Sequence, residues 1–203
     1  MKPILFNTSM VRAILDGRKT VTRRVVKPQP KWSQLNMRWD WGDIAWWRNN
    51  WNAIESIPEK NKPFKPGDIL YVRETWGFDK NNWLYKADFP PADLDRIASI
   101  TKWLPSIHMP KEAARIFLRV TNVRVERLHD ITPEQIDAEG CKEYAYDAET
   151  CVLKPSSPVW FELLWDSTIK EADKPQHGWD ANPWVWVIEF ERITREEAYH
   201  EIP

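Results

Sequence analysis

Asp16-Gly17-Arg18-Lys19-Thr20-Val21-Thr22-Arg23-Arg24 is the stretch on which the reading of the fold turns. Asp16-Gly17 is a helix stop, because glycine takes the positive φ of a C′ position without a Cβ clash. The residues after it begin a strand. Successive strand side chains face opposite ways, so Thr20, Thr22 and Arg24 share one face and Val21 and Val25 the other. Lys19 stands at the strand's mouth. A lysine, two hydroxyls and two arginines so close together are either a solvated turn or a polar site.

Upstream, Ile4-Leu5-Phe6 reads as a short strand. Thr8 or Ser9 is the expected cap of a helix whose apolar side is Met10, Val11, Ile14 and Leu15. Downstream, Pro28 and Pro30 end the strand. Residues 31–63 hold Trp32, Trp39, Trp41, Trp46, Trp47 and Trp51 with poor periodicity, Trp47 and Trp51 being the only helical pair among close neighbours. This segment reads as an insertion.

After the Gly67-Asp68 turn, residues 69–76 read as a strand, and Asn81-Asn82 leads into a second one at 83–87. The spacing predicts that these two form a hairpin. Residues 88–113, with four prolines, read as loop and short helix. Along 114–128 the apolar positions run 116, 118, 120 and then shift to 123 and 125, which predicts a bulge or bend near Thr121-Asn122. In residues 131–140, Thr132 is an N-cap, Pro133 sits at N1, Gln135 completes a capping box, Ile131 and Ile136 form a staple, and Gly140 is the stop. Glu139 therefore falls in the last turn, where the helix dipole disfavours a carboxylate by a few tenths of a kcal/mol. A helix over 159–170 and a strand over 184–193 follow. The expected fold is α+β: a small, bent, mostly antiparallel β-barrel with flanking helices and a Trp-rich insertion.

The 203 residues suit one domain, 1–203, with insertions at 27–63, 88–113 and 142–156. With 42% hydrophobic and 29% charged residues the chain reads as globular. Net charge is −1, yet residues 1–31 carry eight basic residues against Asp16 alone, a local +7 on a nearly neutral chain. That pattern suggests a localised anion site. Cys141 and Cys151 fit neither a zinc spacing nor a disulfide framework and read as reduced thiols. The four histidines are scattered, so no metal site is expected, and no Gly-rich loop suggests a cofactor. No apolar run approaches the ~20 residues of a membrane span. A cytoplasmic monomer is expected.

Gly17-x-Lys19-Thr20-x-Thr22-x-Arg24, then Gly67-Asp68-x-Leu70-x-Val72, then the capped helix ending in Glu139, then the apolar strand 184–193, resemble in order the ASCH domain of the PUA-like superfamily. The layout around VRETW (72–76) and PSIHMP (105–110) resembles the ASCH-type proteins of phages and prophages. The resemblance implies a PUA-type barrel with a cleft for RNA or a modified nucleobase. It also implies three functional alternatives: a metal-independent amidohydrolase acting on N4-acetylcytidine-type nucleosides, a ribonuclease, or a non-catalytic RNA-binding module. In the first, Lys19, Thr22 and Glu139 are the implied catalytic set. Chemically, Thr22 would be the nucleophile, Lys19 its activator, and Glu139 the group that orients the lysine or moves a proton. Arg18, Thr20, Arg23, Arg24, Glu74 and His108 are candidate ligand-binding residues. The ligand partner is RNA or a nucleoside, with no membrane.

Overall fold

The structure is a computed structural model that describes residues 1–29, 31–33, 38–41, 44–47, 62–80, 82–94, 97, 101–141, 145–147, 152–154 and 158–200. In chain order the strands are β1 (Lys2–Leu5), β2 (Val21–Val25), β3 (Lys31–Ser33), β4 (Arg38–Trp41), β5 (Ile44–Trp47), β6 (Ile69–Arg73), β7 (Trp76–Asp79), β8 (Asn82–Tyr85), β9 (Phe117–Arg127), β10 (Ala145–Asp147), β11 (Val152–Lys154) and β12 (Trp184–Ile193). The α-helices are α1 (Thr8–Leu15), α2 (Pro133–Ala138), α3 (Pro158–Thr168), α4 (Lys174–His177) and α5 (Arg195–His200). No helix among the described residues is long and apolar enough to cross a membrane.

The principal sheet has the order β1-β6-β9-β12-β2. It is mostly antiparallel, as expected, with β1 and β6 parallel. The expected barrel is not found: among the described residues the sheet stays open. Closure requires the two edges to meet, and the edges here are strands of four and five residues, each hydrogen-bonded to one neighbour. The expected break in β9 is visible in its burial, where alternation is interrupted by two consecutive exposed residues, Thr121 and Asn122. Backbone packing divides the chain into two compact units at that point. One comprises Met1–Thr20, Pro66–Thr121 and Phe190–Pro203; the other comprises Val21–Lys65 and Asn122–Glu189.

In the first unit, β6 pairs with β9 in the register Ile69↔Arg119 and with β1 in the register Leu70↔Lys2. The core gathers Ile69, Ala114, Phe117, Ile193 and Ala198. Helix α1 buries Val11, Ala13 and Ile14. Its cap is Asn7, one residue before the expected threonine: the Asn7 carboxamide oxygen accepts from the Met10 N–H at 2.9 Å and from the Ser9 hydroxyl at 2.8 Å. Gly17 has φ +73°, and the chain turns there so that the Lys19 N–H donates to Ala13 O at 3.0 Å.

The expected hairpin needs correction. The single strand read over 69–76 is two strands, and β8 pairs with β7, not with β6. The split falls at Glu74, whose N–H leaves the ladder and donates to Met109 Sδ at 3.2 Å.

In the second unit, β2 runs antiparallel to β12 with Val25↔Val185 and Thr22↔Ile188. Its core contains Val21, Leu128, Ile136, Phe161, Trp165, Val185 and Val187. The capping box of α2 is formed on both sides, with the Gln135 N–H donating to Thr132 and the Thr132 N–H to Gln135 Oε1 at 3.1 Å. Gly140 takes φ +88° and stops the helix. The Trp-rich segment contains a sheet of order β3-β4-β5, with Trp39 in register with Trp32 and Trp46. The sequence missed these strands, and it missed the β10–β11 hairpin at 145–154. The side chains of the Trp-rich segment, including the pair Trp47 and Trp51, lie outside the described residues.

Candidate functional site

Strand alternation puts Arg23 on the Val21 and Val25 face of β2, which packs on the core of the second unit. An arginine there must be satisfied by its neighbours, since a buried charge is tolerated only when paired and hydrogen-bonded. Its guanidinium donates to Gln135 Oε1 at 2.6 Å, to Glu139 Oε1 at 3.2 Å and to Glu126 Oε2 at 3.4 Å. It also stands 6.0 Å from the Phe161 ring centroid. The Arg23 side chain is 1% exposed and that of Glu139 4%. Arg23 Nε is buried without a hydrogen-bond partner among the described residues.

This arrangement explains a carboxylate at the unfavourable end of a helix. Gly140 holds Glu139 in the C-cap, and a charge-assisted bond to Arg23 outweighs a dipole cost of a few tenths of a kcal/mol. Gln135 has two tasks, since the oxygen that closes the capping box also accepts from Arg23.

On the opposite face of β2, Thr22 is buried and Arg24 half-buried. Arg24 Nη1 donates to Thr22 Oγ1 at 2.9 Å and to the Arg23 carbonyl at 3.0 Å. Burial lowers the pKa of Arg24, and the nearby charge of Glu139 only partly opposes it. Arg124, on β9, pairs with both Glu126 and Glu189. The second unit thus links Arg23 and Arg124 to Glu126, Glu139 and Glu189, while Arg24 holds the Thr22 hydroxyl on the other face of β2.

The remaining sequence candidates belong to the first unit. Lys19 is buried, its Nζ 5.6 Å from the Phe6 ring centroid. Arg18 pairs with Asp16 at 2.8 Å. Thr20 is exposed, and its carbonyl accepts from the Phe190 N–H at 2.9 Å. His108 is exposed at the end of a 3-10 turn, Ser106–His108. Glu74 is fully buried and receives a two-pronged bond from Arg115, at 2.9 and 3.1 Å. Burial drives the Glu74 pKa upward in spite of that bond. Arg115 also loses hydration, but Glu74 and Asp88 more than compensate, and its pKa rises.

Much of the basic excess of residues 1–31 is held by partners within the protein. Lys2 pairs with Asp68 at 2.7 Å, Arg12 donates to the carbonyls of Ala87 and Phe89, and Arg23 and Lys19 are buried. Lys27 is exposed.

Sequence reasoning did not find Gln135, Glu126, Arg124 or Glu189 as members of the charge network. A signal existed for two of them: Arg124 and Glu126 are two apart on a strand and so share a face. Glu189 and Gln135 join through pairings more than sixty residues long, which no local pattern encodes.

No protein-family model matches the chain, and no curated protein is similar to it. Among solved structures, protein EF3133 from Enterococcus faecalis V583, described as belonging to family DUF984, aligns over 96% of this chain and 82% of its own. The identity is 12% and the TM-score 0.45, and at that level the likeness carries no argument about function.

Proposed function

We propose that the chain is an ASCH-like protein that binds RNA or a modified nucleobase, and that Arg24, backed by the buried Thr22, presents the polar group the ligand meets. The observation that carries this reading is their contact. Because the Thr22 oxygen accepts from Arg24 at 2.9 Å, its hydroxyl proton remains available to donate. The half-buried Arg24 guanidinium offers donors that suit a carbonyl or anionic group on a ligand. A cytosine-type base offers such a carbonyl, and its exocyclic nitrogen suits a carboxylate.

A second reading is favoured by one feature: Arg24 is bonded to Thr22 and lies in the field of Glu139. In N4-acetylcytidine hydrolysis, Thr22 Oγ would attack the acetyl carbon and Arg24 would steady the oxyanion. The C–N bond would then break with a proton passing to the leaving amine, and water would release acetate from the threonine. The proton that leaves Thr22 would pass by way of the Glu139 carboxylate to the leaving amine; Lys19 enters this reading from the sequence pattern alone.

Incubation with N4-acetylcytidine and chromatographic detection of cytidine tests the enzyme reading, with Lys19→Ala, Thr22→Ala and Glu139→Gln as controls. Cytidine release that survives all three substitutions would overturn the mechanism. Fluorescence anisotropy with labelled single-stranded RNA at low and high salt tests the binding reading. Absence of binding to both RNA and the nucleoside would overturn it.

A further inference from the structure

The β7–β8 hairpin of the first unit has one face made entirely of aromatic residues. Its register places Trp76 opposite Tyr85 and Phe78 opposite Trp83. Residues directly opposite, and those two apart on one strand, share a face, so all four rings stand together. The other face is pressed on its neighbours: a Cβ on Gly77 would lie 3.0 Å from Thr101 Oγ1.

The four rings have different surroundings. Trp76 is buried with Met109 and Ala113, and Tyr85 packs against that cluster with its hydroxyl donating to Ala113 O at 2.7 Å. This end of the ladder is core. Beyond it the core stops and the aromatic pattern continues. Phe78 is 48% exposed and Trp83 38%. Their ring centroids are 4.9 Å apart, and Trp83 is 5.3 Å from Trp76, so a buried ring braces the exposed pair. A hairpin tip built for stability alone would end in polar residues, as the opposite face does with Asp79 and Asn82.

We propose that Phe78 and Trp83 form a stacking platform for the bases of single-stranded RNA, an inference that rests on the RNA-binding reading above. Flat aromatic faces suit the π-face of any base. Charge selects a nucleic-acid strand over an apolar peptide. Lys80 is exposed at the hairpin tip, and exposed Lys102 follows Thr101, whose hydroxyl donates to Phe78 O at 3.1 Å. Asp79 is the acidic residue beside them. One wall of rings flanked by lysines reads bases by stacking and backbone phosphates by charge, without choosing a sequence.

The experiment is anisotropy of a fluorescein-labelled 12-residue oligouridine with the wild-type chain and with Phe78→Leu, Trp83→Leu, Trp83→Phe and Lys102→Ala. Circular dichroism establishes that each variant is folded. A stacked base contributes about 1–3 kcal/mol, or roughly 5- to 150-fold in affinity. The expected result is a loss in that range for each leucine variant with the salt dependence unchanged, and recovery in Trp83→Phe. Lys102→Ala is expected to flatten the slope of log K against log salt by about 0.7. Wild-type binding with undiminished affinity in both leucine variants overturns the platform and leaves the RNA reading standing. Failure of the wild type to bind oligouridine overturns both. A concentration-dependent dimer that Trp83→Glu abolishes would assign the rings to a second copy of the chain and overturn the platform as well.

Discussion

Replacing Arg23 with methionine removes a cation whose side chain is 1% exposed, along with its bonds to Glu139, Glu126 and Gln135. At an effective dielectric near 20, Coulomb's law gives roughly 5 kcal/mol for a contact of about 3.2 Å. Removing the arginine also removes its own dehydration cost, which is several kcal/mol. The anions left behind are not abandoned equally: Glu126 keeps Arg124, while Glu139 keeps the more distant field of Arg24. The balance puts the loss near the lower end of the range for breaking a buried pair, about 3 kcal/mol. Glu139→Leu should cost a similar amount, about 3 kcal/mol, by leaving Arg23 under-compensated. The double substitution should cost less than the sum by at least about 1 kcal/mol, because the two charges vanish together. Urea unfolding followed by circular dichroism and tryptophan fluorescence measures all three variants. Additivity within about 0.5 kcal/mol would refute the claim that Arg23 and Glu139 form an energetic unit.

Gly17→Ala should destabilise through the backbone alone, because φ is +73° and a Cβ there meets nothing within 4 Å. The cost of about 1–2 kcal/mol corresponds to a Tm lower by roughly 2–8 °C, and Gly17→Asn should lose less; equal Tm values for all three chains would show that the turn is not strained. Glu74 should make stability fall as pH rises. Its folded pKa lies above the ordinary 4.5, so its protonated form favours the fold: that contribution is fully present below 4.5 and is lost as pH rises through the folded value. Subtracting the stability curve of Glu74→Gln from that of the wild type should reveal this descent, and a difference that rises with pH in that window would contradict it.

How much of this was legible in the sequence depended on range. The capping box at Thr132, Pro133 and Gln135 and the stop at Gly140 were read correctly because all their partners lie within a few residues. The interruption at Thr121-Asn122 was legible as a phase shift in the apolar pattern. The cap at Asn7 was missed by one residue because Asn7, Thr8 and Ser9 are all competent cappers, and only the geometry of Met10 chooses. The hairpin partner of β8 was misread because nothing local distinguishes 69–73 from 76–79. The distinction comes from Met109, thirty-five residues from Glu74. The barrel failed as an expectation for a similar reason: periodicity shows where a strand bends but not whether distant edges pair. At the candidate site, alternation correctly separated Thr22 and Arg24 from Val21 and Val25. That Arg23 goes inward to Glu126, Gln135 and Glu139 required the fold.

The first unit is assembled from three separate stretches of chain, and its hydrophobic cluster draws Ile193 and Ala198 against Ile69, Ala114 and Phe117. During synthesis, the segments 1–20 and 66–121 leave the ribosome well before residues 190–200 exist to cover them. Closing that cluster also spans about seventy residues of intervening chain, which slows native contact formation. The nascent protein therefore carries an uncovered apolar surface around Phe117 for the time needed to make those residues. A chaperone that recognises short apolar strands would have its natural opportunity in that interval.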